Sequence, residues 1–505
     1  MNSSDPDSRR ALRSWLAPGA LLLYVAALYG RTALFHDGLF ERDGYYHARL
    51  AFLLPERWFS RSFPWTQLST WRDAYCDKEV VYHLLLAPFA RLAPGALLGA
   101  LFFSVLLAVC VLGALYLVLR ARAVPWPAWF AALPLAMGGL FVARLGMIRS
   151  HVLSMLLLVL GVHLLLERRW RAVLVFGFVY AWCYTFPFVL AMTAAPLALG
   201  LWAVKGGLDW RTPLAAFAGS ALGLAIHPYS PVTLENFLTV VEIFVLGNQG
   251  ADASGLELGN EIYRYPLPVF FDIYPLLLLS MPVLLLAALL GWRRITAEAK
   301  GVTAACTFWF GMSIAAPRFT EYQVPLFALA AGLVTRDLWS GWPPVRAWLG
   351  RSLTRRRLAT AAALALLVGF HARSFAFYQA YHREAAPPRR FDGAARWMAA
   401  NLAPGETVIN LYWDDFPELF YAAPRQHYLW GLDPTYSLRF DAAKTMLLER
   451  MRQREAPLDG RGLAEAVGSR TLVLRAERAL RYPELKAAPF REVYRDGAAV
   501  VYRVD

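Results

Sequence analysis

Charge is what this sequence is short of. Only 17% of its 505 residues are Asp, Glu, Lys or Arg, where a soluble domain carries about 25%. The shortfall excludes an ordinary water-soluble chain. Acidic residues are the scarcer sign, 37 against 51 basic, which gives a formal net charge of +14. On a soluble protein that excess would suggest nucleic acid. Here it serves orientation and contact with anionic lipid, so membrane lipid is an expected partner and nucleic acid is not. Cysteine is also scarce. Cys76, Cys110, Cys183 and Cys306 are far apart, and three lie in apolar runs. That excludes a disulfide framework and zinc-motif spacing. The sequence has no internal repeat and no low-complexity segment.

What is there is apolar: 58% of the residues are hydrophobic and 14% aromatic. Candidate spans fall at 15–35, 95–119, 125–143, 147–166, 171–186, 188–204, 212–228, 267–291, 301–316, 322–335 and 357–378. A bilayer core of about 30 Å takes roughly 20 such residues. The first run follows Arg9, Arg10 and Arg13 without a clean small-residue cleavage site, and reads as an uncleaved signal-anchor. Basic residues gather in alternate loops, at the N-terminus, 120–122, 168–171, 205–211, 293–300 and 336–357. Basic loops stay in the cytoplasm. The expectation is a multi-pass protein of the inner (plasma) membrane with about 11 spans, a cytoplasmic N-terminus and an extracytoplasmic C-terminal domain. Residues 1–380 form the membrane domain, with long outer loops at 36–91 and 229–266. Residues 385–505 have ordinary soluble composition. There "RRFDGAARWMAANLAPGE" reads as a helix stopped by Pro404 and Gly405, "TVINLYW" and "TLVLRAE" as strands, and "EVYRDGAAVVYRV" as a hairpin turned at Asp496-Gly497. The fold class is an α-helical polytopic membrane protein with a small mixed α/β domain outside.

The acidic and aromatic residues concentrate in the outer loops. "LFERDGYYHARLAF" places Asp43 and His47 four apart, on one face if the stretch is helical. A carboxylate there serves as a general base or a metal ligand, or simply caps a helix. "ARLGMIRSHVLSM" places Arg144, Arg149 and His151 at the mouth of a span. Arginines on the outer side run against the orientation rule, so they bind anionic lipid or phosphate, or snorkel. The loop "GADASGLELGNEIYRYPLP" holds Glu257, Asn260 and Glu261, and either covers a substrate or only connects. "SIAAPRFTEYQVPLF" sets Arg318 at a tight turn, as a phosphate clamp or as an ion-pair partner of Glu321. In the tail, Trp413, Asp414 and Asp415 follow a strand, which suits a recognition surface or a packing surface.

Taken together these residues resemble the GT-C superfamily of membrane glycosyltransferases, and more narrowly the catalytic subunit of oligosaccharyltransferases. The carriers are "RDGYYHARL", "RFTEYQVPLF", "GNEIY" and "WMAANLAPGETVINLYWDDF", which follow the family's order over most of the chain. The resemblance implies transfer of a sugar or oligosaccharide from a polyprenyl-phosphate-linked donor to an acceptor protein or glycan on the outer face. It implies catalytic roles for Asp43 and Glu261, with Arg318 and then Arg149 on the donor phosphate. His151, His47, Tyr46, Trp413 and Asp414 complete the expected substrate-binding set. It also implies a divalent cation, Mg²⁺ or Mn²⁺, with Asp43 as a ligand. The sequence departs from the family at two places. Arg149, Ser150 and His151 stand where the family has carboxylates, so weak metal dependence is expected. The peptide-recognition motif ends in Asp415 and Phe416. The alternatives are a single-sugar polyprenyl-phosphate-dependent transferase acting on lipid or polysaccharide, and a transporter or flippase of lipid-linked sugars. Transporters gather polar groups near the midplane in repeated halves. Here the charged residues gather at one set of span ends.

Overall fold

Long apolar runs have no partner for their backbone polar groups except themselves, and so become helices. Each of the eleven runs is helical in the structure, a computed structural model that describes residues 6–35, 38–39, 41–92, 95–205, 208–249, 256, 259, 263–341, 347, 352–384 and 389–505. Among the described residues, two helices, Ala96–Ala121 and Leu353–Arg383, are each long and apolar enough to cross a membrane, or up to four spans if each bent pair counts as one. The count of about 11 spans stays an expectation.

Two of the runs are broken where the sequence reads straight through. The run at 125–143 divides into Pro127–Ala132, Pro134–Met137 and Gly139–Leu145. The run at 267–291 divides into Leu267–Ile273 and Pro275–Leu290, bent by 96°. The two breaks meet. A Cβ on Gly138 would lie 2.2 Å from Cδ1 of Tyr274, so only glycine lets that ring in.

The chain divides into two compact units. The first holds residues 1–32, 102–224 and 264–381. Its helices approach backbone to backbone through glycine. A Cβ on Gly200 would meet Cα of Gly301 at 2.6 Å, and one on Gly219 would meet the Leu174 carbonyl oxygen at 2.1 Å. Small residues allow such contact where lipid supplies no hydrophobic drive. Four of the loop ends read as cytoplasmic meet in one ion cluster. Arg122 donates to Glu167 at 2.7 Å and to Glu298 at 2.8 Å, and Arg336 reaches Glu298 at 3.4 Å.

The second unit holds residues 33–101, 225–263 and 382–505. Its five-stranded sheet runs β2-β1-β3-β5-β4, with β1 Thr407–Asn410, β2 His427–Tyr428, β3 Thr471–Arg475, β4 Phe490–Arg495 and β5 Ala499–Val504. β1 lies parallel to β2 and β3, and β5 is antiparallel to β3 and β4. All five residues of β3 are buried, as a central strand requires. The β4–β5 turn is fixed by Asp496, whose Oδ1 accepts from the Ala498 and Ala499 amides at 2.8 and 2.7 Å. The first loop extends this sheet. Thr66 bridges Tyr428 in parallel, Tyr428 N donates to Trp65 O at 2.9 Å, and Gln67 N donates to Tyr428 O at 2.8 Å. Leu68 then enters the core with Ile409, Leu411, Trp430 and Leu472.

Candidate functional site

Asp43 opens the helix Asp43–Leu53. Its N-cap residue Arg42 makes no side-chain cap, and a carboxylate in the first turn sits favourably in the field of the free amides. The same helix buries Tyr46 and His47. The Tyr46 hydroxyl meets that of Tyr75 at 3.0 Å, with Phe63, Trp71 and Phe420 around the ring. Tyr46 is therefore a wall of this region.

His47 faces a segment to which the sequence reading gave no role, "CDKEVVYH", whose Val80 starts the helix Val80–Leu92. Asp77 Oδ1 accepts from the Glu79 amide at 3.1 Å. The same carboxylate holds Nδ1 of His83, at 2.8 and 2.9 Å from its two oxygens. Nε2 of His83 meets Nδ1 of His47 at 2.8 Å, and Glu79 Oε2 stands 3.8 Å from that same nitrogen. His47, Glu79 and His83 are 6%, 7% and 1% exposed. Burial opposes a charge on His83, but Asp77 outweighs it and raises the imidazole's affinity for protons. The signal in the sequence is Glu79 and His83 four apart on a helix start, with Asp77 six before the histidine.

Lys78 lies between these carboxylates, its ammonium 5.8 Å from the Trp71 ring and 5.9 Å from Tyr436. Burial works against its charge, and Tyr436, Glu79 and Asp433 more than offset it. Burial lifts the Asp433 carboxyl above the usual range, and the Asp43 carboxylate adds to that lift. Asp43 thus belongs to a mixed-charge neighbourhood with Asp433 and Lys78.

The tail carboxylates are placed differently. Asp414 takes both terminal nitrogens of Arg478 at 2.8 Å and also pairs with Arg42. Asp415 pairs with Arg475, and with Arg478 at 3.0 Å. Trp413 packs partly buried against the sheet core. Arg42 neighbours Asp43 in the chain, so this network also fixes the start of the Asp43 helix.

In the first unit, Arg149 precedes the helix Ser150–Leu166. Nε2 of His151 lies 2.9 Å from the Arg144 carbonyl oxygen, and His151 is buried. Arg144 donates from Nε to Glu321 at 2.5 Å, in a pair buried on both sides. Arg318, in the turn Pro317–Phe319, donates to the Tyr184 hydroxyl at 3.2 Å. Glu257, Asn260 and Glu261 lie outside the described residues.

The residues that would hold a metal offer a particular donor set. Among the described residues, the grouping of three histidine, cysteine or carboxylate ligands that converges is His47, Glu79 and His83. Mg²⁺ and Mn²⁺ favour oxygen, and two imidazoles with one carboxylate suit a borderline transition metal instead.

No family model matches the chain, and no curated relative matches it by sequence. Solved structures do. The apo oligosaccharyltransferase of Archaeoglobus fulgidus superposes with a TM-score of 0.66 at 13% identity, over 98% of this chain and 75% of that one. ArnT of Cupriavidus metallidurans, in the apo state, gives 0.58 at 14% identity, over 97% of this chain and 98% of that one. The arabinofuranosyltransferase AftD from Mycobacteria gives 0.54 at 15% identity, over 97% and 40%. The archaeal enzyme is also matched in complex with an inhibitory peptide and a dolichol-phosphate, and in complex with Zn and sulfate, at TM-scores of 0.62 and 0.60. ArnT is matched bound to undecaprenyl phosphate at 0.52. The fold is that of the GT-C membrane glycosyltransferases. The fold is similar to that of the archaeal oligosaccharyltransferase and of ArnT.

Proposed function

We propose that this protein is a GT-C glycosyltransferase that moves a sugar or oligosaccharide from a polyprenyl-phosphate-linked donor to an acceptor outside the membrane. The observation that carries the reading is Asp43, on the first turn of its helix, in a neighbourhood of carboxylates and one lysine, in a chain with this fold. The lipids bound to the archaeal enzyme and to ArnT, dolichol-phosphate and undecaprenyl phosphate, support the donor class. Asp43 accepts the proton of the acceptor's nucleophilic group as that group bonds to the anomeric carbon. The bond from that carbon to the phosphate oxygen breaks, and the lipid phosphate leaves with the electron pair. Arg318 first and Arg149 second stabilise its growing charge. Glu261 orients the acceptor.

A single-sugar transfer onto lipid or polysaccharide is the second reading. It is favoured by Asp414, whose carboxylate is taken up by Arg478 and Arg42 on the surface that the resemblance reads as peptide recognition. One experiment tests both. Glycans and lipid-linked sugars are profiled by mass spectrometry in a deletion strain complemented with wild type or Asp43→Asn. The expected result is one glycan class lost on deletion, restored by wild type and not by Asp43→Asn. Restoration by a well-expressed Asp43→Asn variant removes Asp43 from the reaction. No glycan change on deletion removes the function.

A further inference from the structure

We propose that His47, Glu79 and His83 form a three-ligand centre for a borderline divalent transition metal of the Zn²⁺ class, with Asp77 as the carboxylate that orients His83. Asp43 is not one of its ligands. Three observations converge. The donor atoms His47 Nδ1, His83 Nε2 and a Glu79 oxygen all lie within 4.8 Å of one another, and all three residues are buried. Buried imidazoles and a buried carboxylate converging on one point need either a shared proton or a shared cation. The second observation is Asp77. It accepts from Nδ1 of His83, which directs the Nε2 lone pair toward the cluster. A carboxylate on the far nitrogen of a histidine is the usual outer support of a metal-bound imidazole. It is itself held by the Glu79 amide at 3.1 Å, so the support is rigid before any metal arrives.

The third is charge. Two neutral imidazoles, the Glu79 carboxylate and Asp77 behind them present two negative charges to a divalent cation, so the centre is neutral when filled. The 2.8 Å between His47 and His83 is a hydrogen-bond distance. Tetrahedral zinc with bonds near 2.0–2.1 Å sets its nitrogens about 3.3 Å apart. A metal there would displace the proton shared by the two rings, which moves to Nε2 of His47 as both rings stay neutral, and would open them by about 0.5 Å. A proton added to either ring competes with zinc, so affinity falls as pH falls. Three protein ligands leave a fourth position open, the pattern of sites that hold water or substrate.

The proposal is read by metal content and does not rest on the transfer reaction. Full-length protein is purified in detergent, stripped with a chelator, equilibrated separately with Zn²⁺ and Mg²⁺, and analysed by elemental mass spectrometry. Co²⁺ loading gives a visible spectrum that reports the ligands. One Zn²⁺ per chain is expected, with no retained Mg²⁺. His83→Ala and Glu79→Gln should each weaken Zn²⁺ binding by about 100-fold or more, and Asp77→Asn by about 10–100-fold. Asp43→Asn should leave Zn²⁺ binding unchanged, so the failure of this centre and the failure of the transfer role are told apart. Gel filtration and thermal unfolding check each variant. If His83→Ala does not fold, the near-isosteric Glu79→Gln decides. Retention of Mg²⁺ in place of Zn²⁺, absence of Zn²⁺ from wild type, full Zn²⁺ binding in a folded Glu79→Gln, or loss of Zn²⁺ in Asp43→Asn would each overturn the proposal.

Discussion

Two groups of carboxylates sit in the unit built from the first loop and the tail, and they keep different company. Asp414, Asp415 and Glu418 are met by arginines: Arg478 and Arg42 on the first, Arg475 and Arg478 on the second, Arg390 at 2.9 Å on the third. Asp77 and Glu79 are met by histidines. A guanidinium is always charged, so a carboxylate it holds is fixed in one state. An imidazole can gain, lose or pass a proton, or give its lone pair to a metal. The difference teaches where to look for chemistry. The aspartates that stand out in the sequence beside Trp413 are held by arginines, and the carboxylates it hides in "CDKEVVYH" keep a chemical choice open.

The comparison breaks or holds with a few substitutions. The largest effect belongs to Asp43, beside the histidine group. Asp43→Asn should lower the transfer rate by about 10²–10⁴-fold, the cost of a lost general base, with normal expression. Wild-type transfer would end its role. Arg318 comes next, an arginine that donates to a phenol, Tyr184. Arg318→Ala should cost about 10²–10³-fold in transfer, and Arg318→Lys less, because lysine keeps the charge without the planar fork. Donor-lipid binding in detergent should weaken in the same order. Glu321→Gln, in the buried pair with Arg144, should lower stability and leave donor binding alone. If it weakens donor binding as much as Arg318→Ala does, the phosphate role of Arg318 fails.

Inside the arginine group the readout is stability. Arg475 and Asp415 have side chains only 3% and 2% exposed. Arg475→Met should destabilise the protein by about 3 kcal/mol, the low end for breaking a buried pair, because Arg478 still reaches Asp415. Adding Asp415→Asn should return part of that loss. Calorimetry in detergent measures both, and an additive double variant would mean the two residues do not interact. The smallest effect belongs to Asp414→Asn. The pair with Arg478 is partly exposed, so about 1 kcal/mol of stability is expected with the KM for the acceptor unchanged. A raised KM at intact stability would move Asp414 from the structural group to the recognition group.

Much of the helical part was legible because apolar length is a one-dimensional signal. All eleven runs are helices, and the strands at 407–410 and 471–475 and the hairpin at 490–504 stand where their alternation and turn residues put them. The breaks at Gly138 and Tyr274 were not legible, because each exists for the other across 136 residues of sequence, 274 minus 138. Asp43, Tyr46 and His47 were legible as one cluster on one helix. Asp77, Glu79 and His83 were not, since nothing in their spacing points to His47, and their partnership appears only when two helices pack. Asp414 and Asp415 were legible as unusual. What they bind was not, because Arg475 and Arg478 lie some sixty residues on, 61 and 64 from Asp414.

The strip of first loop at 65–68 that lies along β2 also sets a clock. Its partners are made about 360 residues later. At roughly 5–20 residues per second, a ribosome leaves that edge unmatched for roughly 20–70 s. Throughout that interval Phe63, Trp65, Leu68 and Trp71, all buried in the finished protein, lack the tail residues that pack on them. A nascent chain in this state is an aromatic strand edge in search of any partner. Its production therefore depends on whatever shields that edge until the last quarter of the chain emerges.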